Sequence, residues 1–253
     1  MQKGMSYPAS VILSIYGWTL VTLSTVFFSL LGLLLIPVSL LVDRGSRRII
    51  HGVAVFWARL VLVGSVVWKL RVEGEKNIVP GRPYIIVANH QSLLDILVAL
   101  VALPVHFKFL AKKELFSIPF LGWHLALAGY IPIDRSSPES GKRALLGARK
   151  WLRQGVSVLF FPEGTRSLDG QIQEFKPGAF KLAEDESVDI LPVVIDGTGQ
   201  AVPKKSWRLA KPSRFSVSIG KPVSMTGRAY ETKREAIRQE MAARLARIRA
   251  NGA

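Results

Sequence analysis

The sequence has no cysteine in 253 residues. That excludes a disulfide framework, a cysteine nucleophile and a cysteine-based zinc site. Histidine is scarce too. His51, His90, His106 and His124 show neither His-x3-His nor His-Glu-x-x-His spacing, so no metal site is expected. There is no Gly-x-Ser-x-Gly elbow and no phosphate-binding P-loop. Acidic residues are few, 18 Asp+Glu against 34 Lys+Arg, for a formal net charge of +16. Such a surplus suits an anionic partner: nucleic acid, a phospholipid surface or an acidic substrate. A hydrophobic content of 49% and a positive mean hydropathy favour the phospholipid surface, and no nucleic-acid motif accompanies the charge.

Charge is also missing locally. Residues 4–42 contain no charged side chain. That run is long for one span of about 20 residues and short for two with a turn. Pro37 is expected to end or kink the first helix, leaving residues 11–36 as its apolar body. Residues 47–69 are expected to form a second helix. At about 100° per residue, Arg47, Arg48, His51, Arg59, Ser65 and Lys69 fall in a stripe about 120° wide. Such a helix suits the headgroup region, its cations towards phosphate and its apolar face in acyl chains. The rival is a second span with Arg59 at the midplane, at a cost of at least about 2.5 kcal/mol.

A domain boundary is expected near residue 70. Residues 1–69 would be membrane-anchoring helices and residues 70–253 a second, itself basic, domain with 28 basic and 17 acidic side chains. Within it, strands are expected over 69–73, 84–88, 107–111, 130–133, 156–161, 189–195 and 214–219. Helices are expected over 92–103, 139–154, 178–183 and 231–249. This alternation predicts an α/β fold, a mixed, largely parallel sheet covered by helices, with an N-terminal membrane-embedded helical segment. Ligands gather at the carboxyl ends of strands in such sheets. His90, Arg135 and residues 163–166 each follow an expected strand directly. Residues 201–212, with Lys204, Lys205, Arg208 and Lys211 around Trp207, read as a basic loop, either solvated or a second membrane contact.

The stretch Asn89-His90-Gln91-Ser92-Leu93-Leu94-Asp95 has the components of a general base and its orienting carboxylate. Residues five apart do not meet on one helix. The pair can touch only if His90 lies in the turn before the helix and Asp95 in its first turns. The plainer alternative has Asn89 or Ser92 capping the helix, His90 as a turn residue and Asp95 as a first-turn acid.

His90 and Asp95 in this stretch resemble the His-x4-Asp block of the glycerolipid acyltransferases, and within them the chain is most similar to the lysophosphatidic acid (1-acyl-sn-glycerol-3-phosphate) acyltransferases. Three further blocks match in order. They are Gly129-Tyr130-Ile131-Pro132-Ile133-Asp134-Arg135, Phe161-Pro162-Glu163-Gly164-Thr165-Arg166-Ser167 with Phe175-Lys176-Pro177-Gly178-Ala179, and Leu191-Pro192-Val193-Val194. Leu191 departs from the small or β-branched residue common there. The match runs from about residue 72 to 220.

The resemblance implies transfer of a fatty acyl group from a thioester donor, acyl-CoA or acyl carrier protein, to the sn-2 hydroxyl of 1-acyl-sn-glycerol-3-phosphate. His90 would be the base and Asp95 its orienter. Arg135 and Arg166, then Lys112, would bind the acceptor phosphate, since Arg offers paired donors and Lys a point charge. Glu163 would position its loop or bind an acceptor hydroxyl, with Gly164 and Thr165 completing that turn. No cofactor beyond the donor substrate and no nucleic-acid partner is expected. Membrane phospholipids are expected partners, with the enzyme on the cytoplasmic face of the inner or plasma membrane. The rivals are an acyltransferase for another lyso-lipid or for glycerol 3-phosphate, and a non-catalytic basic lipid-binding protein.

Overall fold

The computed structural model describes residues 7–43, 45–202, 208–209, 213–227 and 230–252. Three helices open the chain: α1 (Tyr7–Leu34), α2 (Ile36–Val42) and α3 (Arg48–Gly64). Then follow β1 (Trp68–Glu73), β2 (Ile85–Ala88), α4 (Leu94–Ala102), β3 (Phe107–Lys112), α5 (Leu121–Leu127), β4 (Ile131–Ile133) and α6 (Pro138–Arg153). The remainder is β5 (Ser157–Phe160), α7 (Gly178–Asp185), β6 (Ile190–Asp196), α8 (Thr198–Ala201), β7 (Ser213–Ile219) and α9 (Tyr230–Gly252).

The strands form a seven-stranded sheet in the order β1-β7-β6-β2-β5-β3-β4, parallel throughout except between β6 and β7. The mixed, largely parallel sheet anticipated from the alternation is present. Residues of β2 and β5 are buried at every position, as befits central strands covered on both faces. One covering layer holds α3 and α4, whose Ile50, Ala54, Ala58, Leu97 and Val98 share a core with Phe107 and Leu191. The other holds α6, α7 and α9, packed through Ala148, Phe180, Met241 and Leu245 onto Val158 and Val194. Because β2, β5, β6, β3 and β4 run the same way, their carboxyl ends meet at one edge.

The chain bends between α1 and α2, with Pro37 at the start of α2, as its fixed φ and missing N–H require. The inward face of α1 is small and polar, with Ser10, Ser14, Ser24, Ser29 and Gly32 buried. Ile12, Ile15, Leu23, Phe27, Leu33 and Leu34 face outwards. This inverts the usual pattern of a helix on a water-soluble domain. α1 is long and apolar enough to cross a membrane by length and composition. Yet it lies alongside the body. Tyr16 donates to the carbonyl of Gly64 at 2.8 Å, and Gly32 abuts the His124 ring.

Helix α3 corrects the headgroup-facing stripe expected over residues 47–69. It ends at Gly64, and Lys69 belongs to β1. The Arg47 guanidinium donates to the carbonyls of Ala126 and Leu127, both at 2.8 Å, and His51 is buried. These polar groups turn inwards because α5 and β3 offer partners, while Phe56, Leu60 and Val63 face out beside the exposed Arg59. The short helices α5 and α8 had no clear periodic signal. Of the basic loop, Lys204, Lys205, Trp207 and Lys211 lie outside the described residues; the Arg208 guanidinium sits 5.0 Å from the Tyr7 ring centroid on α1.

Candidate active site

β2 ends at Ala88 and α4 begins at Leu94, so His90 occupies the intervening turn and Asp95 the first turn of the helix. This is the one placement in which residues five apart can meet. His90 Nδ1 and Asp95 Oδ2 are 2.7 Å apart. The same oxygen accepts the backbone N–H groups of Gln91 at 2.6 Å and Ser92 at 2.9 Å. The start of α4 thus closes on its own carboxylate, and the N-cap residue Leu93 has no side-chain cap bond. Asn89 does not cap the helix: its amide exchanges two 2.8 Å bonds with the backbone of Ile195 on β6. With Nδ1–H directed at Asp95, Nε2 is the basic nitrogen of the ring. The ring stacks on Phe161 at a centroid distance of 4.2 Å.

Sequence reasoning missed Thr198. Its hydroxyl, fully buried, donates to Asp95 Oδ1 in a short bond of 2.5 Å. Both oxygens of a carboxylate with no solvent exposure are therefore occupied. The two residues are far apart in the chain, so only the β2–β6 pairing brings them together. Gly197 makes the turn possible, with φ of +91° and a Cβ position that would sit 2.1 Å from the Arg214 carbonyl oxygen.

The turn after β5 forms the opposite wall. Buried Glu163 accepts the backbone N–H of His90 at 2.9 Å through Oε1 and that of Gln173 at 3.1 Å through Oε2. Burial raises its pKa, and these two backbone bonds oppose the rise. Ser167 N–H donates to the His90 carbonyl at 2.8 Å, so the two turns are laced together. Gly164 has φ of +72°, and a Cβ there would strike the Lys176 side chain at 2.8 Å. Thr165 is exposed beside it.

Arg135 follows β4 and lies near enough to Arg166 for the two charges to interact. Partial burial, then that like charge, lowers the pKa of Arg135. Neither guanidinium has a hydrogen bond or ion pair among the described residues. A cleft of about 390 Å³ runs along this wall, lined by Ile133, Arg135, Phe161, Gly164, Lys176 and Gly178 among others. Lys176 was not singled out from the sequence as a ligand, although it lies in the quoted Phe-Lys-Pro-Gly-Ala stretch. Lys112 ends β3 in an exposed pair with Glu114 at 3.3 Å, and Lys113 pairs with Asp134. A second, apolar cavity of about 240 Å³ lies between α1, α3, α4 and α5, walled by Phe28, Trp57, Leu93, Ile96, Leu100 and Phe109 among others. Among the described residues no cluster of His, Asp and Glu could hold a metal ion.

The other face of the His90 turn is fastened by α9. Arg249 donates through Nη2 to Asp196 Oδ1 at 3.0 Å and to the Gly170 carbonyl at 2.9 Å, and Asp196 accepts from Gln91 Nε2 at 3.3 Å.

A buried histidine–carboxylate pair at the carboxyl edge of an α/β sheet, beside two unpaired guanidiniums, has the parts to activate a hydroxyl next to an anionic group. Residues 69–196 match the family model described as Acyltransferase. The chain is 36% identical over 202 residues to the chloroplastic 1-acyl-sn-glycerol-3-phosphate acyltransferase LPAT1 of Arabidopsis thaliana, covering 79% of this chain and 56% of that protein. It is 37% identical over 171 residues to 1-acyl-sn-glycerol-3-phosphate acyltransferase alpha of Mus musculus, covering 66% and 60%. The crystal structure of the 1-acyl-sn-glycerophosphate (LPA) acyltransferase PlsC from Thermotoga maritima superposes with a TM-score of 0.84 at 29% identity, over 97% of this chain and 98% of that one. The chain belongs to the Acyltransferase family. It spans just over half the length of the curated plant relatives it matches.

Proposed function

We propose that the protein transfers a fatty acyl group from a thioester donor to the sn-2 hydroxyl of 1-acyl-sn-glycerol-3-phosphate, giving phosphatidic acid. The observation that carries this is the His90–Asp95 pair, with the ring held through Nδ1 and Nε2 left to act. Nε2 takes the proton of the acceptor hydroxyl as its oxygen attacks the thioester carbonyl. Asp95 stabilises the resulting imidazolium. Collapse of the tetrahedral intermediate expels the thiolate, which takes the proton back from His90. A thioester is already activated, so no acyl-enzyme is needed, and the lack of cysteine is no obstacle.

Arg135 and Arg166 hold the acceptor phosphate, with Lys112 and Lys176 as further cations on the same side and Gly164 and Thr165 shaping the turn. Two like charges near each other with no acid between them suit a dianion. Glu163 holds the turn through its backbone bonds. The test is to incubate purified protein with one acyl-CoA and a panel of lyso-lipids and glycerol 3-phosphate, and to identify products by mass spectrometry. Phosphatidic acid from lysophosphatidic acid is expected. Preferential acylation of glycerol 3-phosphate or another lyso-lipid would reassign the acceptor, and no product with any acceptor would leave a lipid-binding protein.

The enzyme works at a membrane. Residues 1–69 anchor it, and α1 and α2 sink their outward apolar faces into one leaflet on the cytoplasmic side. A 28-residue helix is about 42 Å long, enough to cross, but its attachment to Gly64 and His124 along its length favours lying against the body. With a tagged N-terminus in sealed inside-out vesicles, protease should remove the tag along with the catalytic domain. A protected tag would mean a true span.

A further inference from the structure

A second polar cleft lies outside the site just described. It has a volume of about 260 Å³ and sits between the β1–β7 edge of the sheet and the last turns of α9. Its lining includes three arginines, Arg71, Arg244 and Arg247, with Ser216, Ser218 and Asn251, against one acid, Glu73. Arg71 pairs with Glu73 at 2.7 Å. Arg244 pairs with Glu240 at 2.6 Å and donates to Ser218 Oγ at 3.2 Å, but its buried Nε has no partner. Arg247 is exposed and has no hydrogen bond or ion pair among the described residues. Guanidiniums beside hydroxyls in a concave setting suit phosphate oxygens, which accept paired N–H donors.

The position of the cleft narrows the ligand. Ser216 is in register with Arg71 on β1 and with Asp196 on β6, so the cleft is level with the carboxyl edge that carries His90. In the sheet order β1 lies three strands from β2, about 14 Å away at the usual strand spacing. One turn further along α9, Arg249 touches Asp196 and, through it, Gln91 beside His90. That separation is of the order of an extended pantetheine arm. We propose that this cleft binds the phosphorylated nucleotide end of the acyl donor, so that the donor is a coenzyme A thioester.

This rests on the acyl-transfer reading, with phosphate groups of the donor at Arg71, Arg244 and Arg247 while its thioester reaches His90. A broad arginine ridge would suit an acidic carrier protein; a concave cleft with hydroxyls and an amide suits a small polyanion. The probe is adenosine 3′,5′-bisphosphate, which has the nucleotide phosphates but no pantetheine, thiol or acyl group. It should bind the full-length protein in calorimetry and compete with acyl-CoA but not with lysophosphatidic acid. The exposed substitutions Arg247→Glu and Arg71→Glu should each weaken this binding and raise the KM for acyl-CoA by at least about tenfold, with the acceptor KM unmoved. Circular dichroism and the acceptor KM report whether the fold survives. No bisphosphate binding, or a KM raised only for acyl carrier protein, overturns the proposal. So does inorganic phosphate binding as tightly as the bisphosphate, with donor KM insensitive to both variants. If no acceptor is acylated at all yet the bisphosphate binds and the variants abolish binding, the acyl-transfer reading fails and the nucleotide site stands.

Discussion

At the carboxyl edge of the sheet, His90 lies 2.7 Å from a carboxylate that has all its remaining capacity filled. At the amino end of β3, His51, His106 and Lys108 crowd together with no carboxylate in contact among the described residues. The His51 and His106 rings are 4.9 Å apart, and Lys108 Nζ lies 3.0 Å from His106 Nε2 and donates to the Ala128 carbonyl at 2.7 Å. Asp43, the nearby acid that acts on Lys108, is spent on Ser39 and the Ile49 N–H. Burial, then neighbouring positive charge, drives the second group towards neutrality. His51 falls well below its usual pKa, His106 to about 3 and Lys108 to about 7. Burial among like charges silences a basic side chain. At His90 an oriented carboxylate lies in contact instead, the arrangement that the proposed base role requires.

Substitutions in the two places should therefore separate cleanly, and the largest difference is expected at the His90–Asp95 pair. His90→Ala should lower turnover by roughly 10²–10⁴-fold while the protein stays folded. His51→Asn should leave turnover within a few-fold and act on melting temperature instead. An active, folded H90A enzyme would remove the base assignment, and a turnover loss at His51 equal to that at His90 would break the contrast.

The next effect is expected at the guanidiniums. Arg166→Ala and Arg135→Ala should each raise the acceptor KM by roughly tenfold or more, with the donor KM little changed. Should only the donor constant rise, these arginines belong to the thioester site.

Thr198 sharpens the contrast by removing support without removing charge. Thr198→Val strips one donor from the buried Asp95 carboxylate and should reduce kcat by roughly tenfold, with KM nearly constant, while Thr198→Ser restores most of it. Equal loss in both variants would mean that Thr198 acts by packing.

The smallest effect is a slope. Below about pH 7, Lys108 is protonated in both the folded and unfolded states and adds no pH dependence. Between about 7 and its ordinary 10.5, the unfolded chain holds a proton that the folded one lacks, so stability from this group rises with pH. The rise is at most about 1.4 kcal/mol per pH unit. Urea unfolding at pH 7 and pH 9 should show the wild type gaining on Lys108→Met. Equal changes in the wild type and the variant would mean that Lys108 keeps its charge when buried.

Direct transfer also predicts intersecting initial-rate plots when both substrates are varied. Parallel lines, or acyl label retained on the protein, would require a covalent intermediate.

Local chemistry in the chain was enough to find the alternating elements of the sheet, the helix bend at Pro37 and the turn that brings His90 to Asp95. Each follows from short-range rules: apolar runs the length of a strand, a proline that cannot continue a helix, and a five-residue offset that closes only across a helix start. The arginines after β4 and β5 were likewise legible as residues that follow strands. Tertiary structure decided what short-range rules cannot. Thr198 reaches Asp95 because β6 pairs with β2, and Arg249 reaches Asp196 because α9 lies across β6. It also decided which way α3 faces. Its polar stripe was visible in the sequence, but whether those groups meet lipid headgroups or the carbonyls of α5 depends on a neighbour some 79 residues away along the chain. Periodicity states that a helix has two faces; only packing states what each face meets.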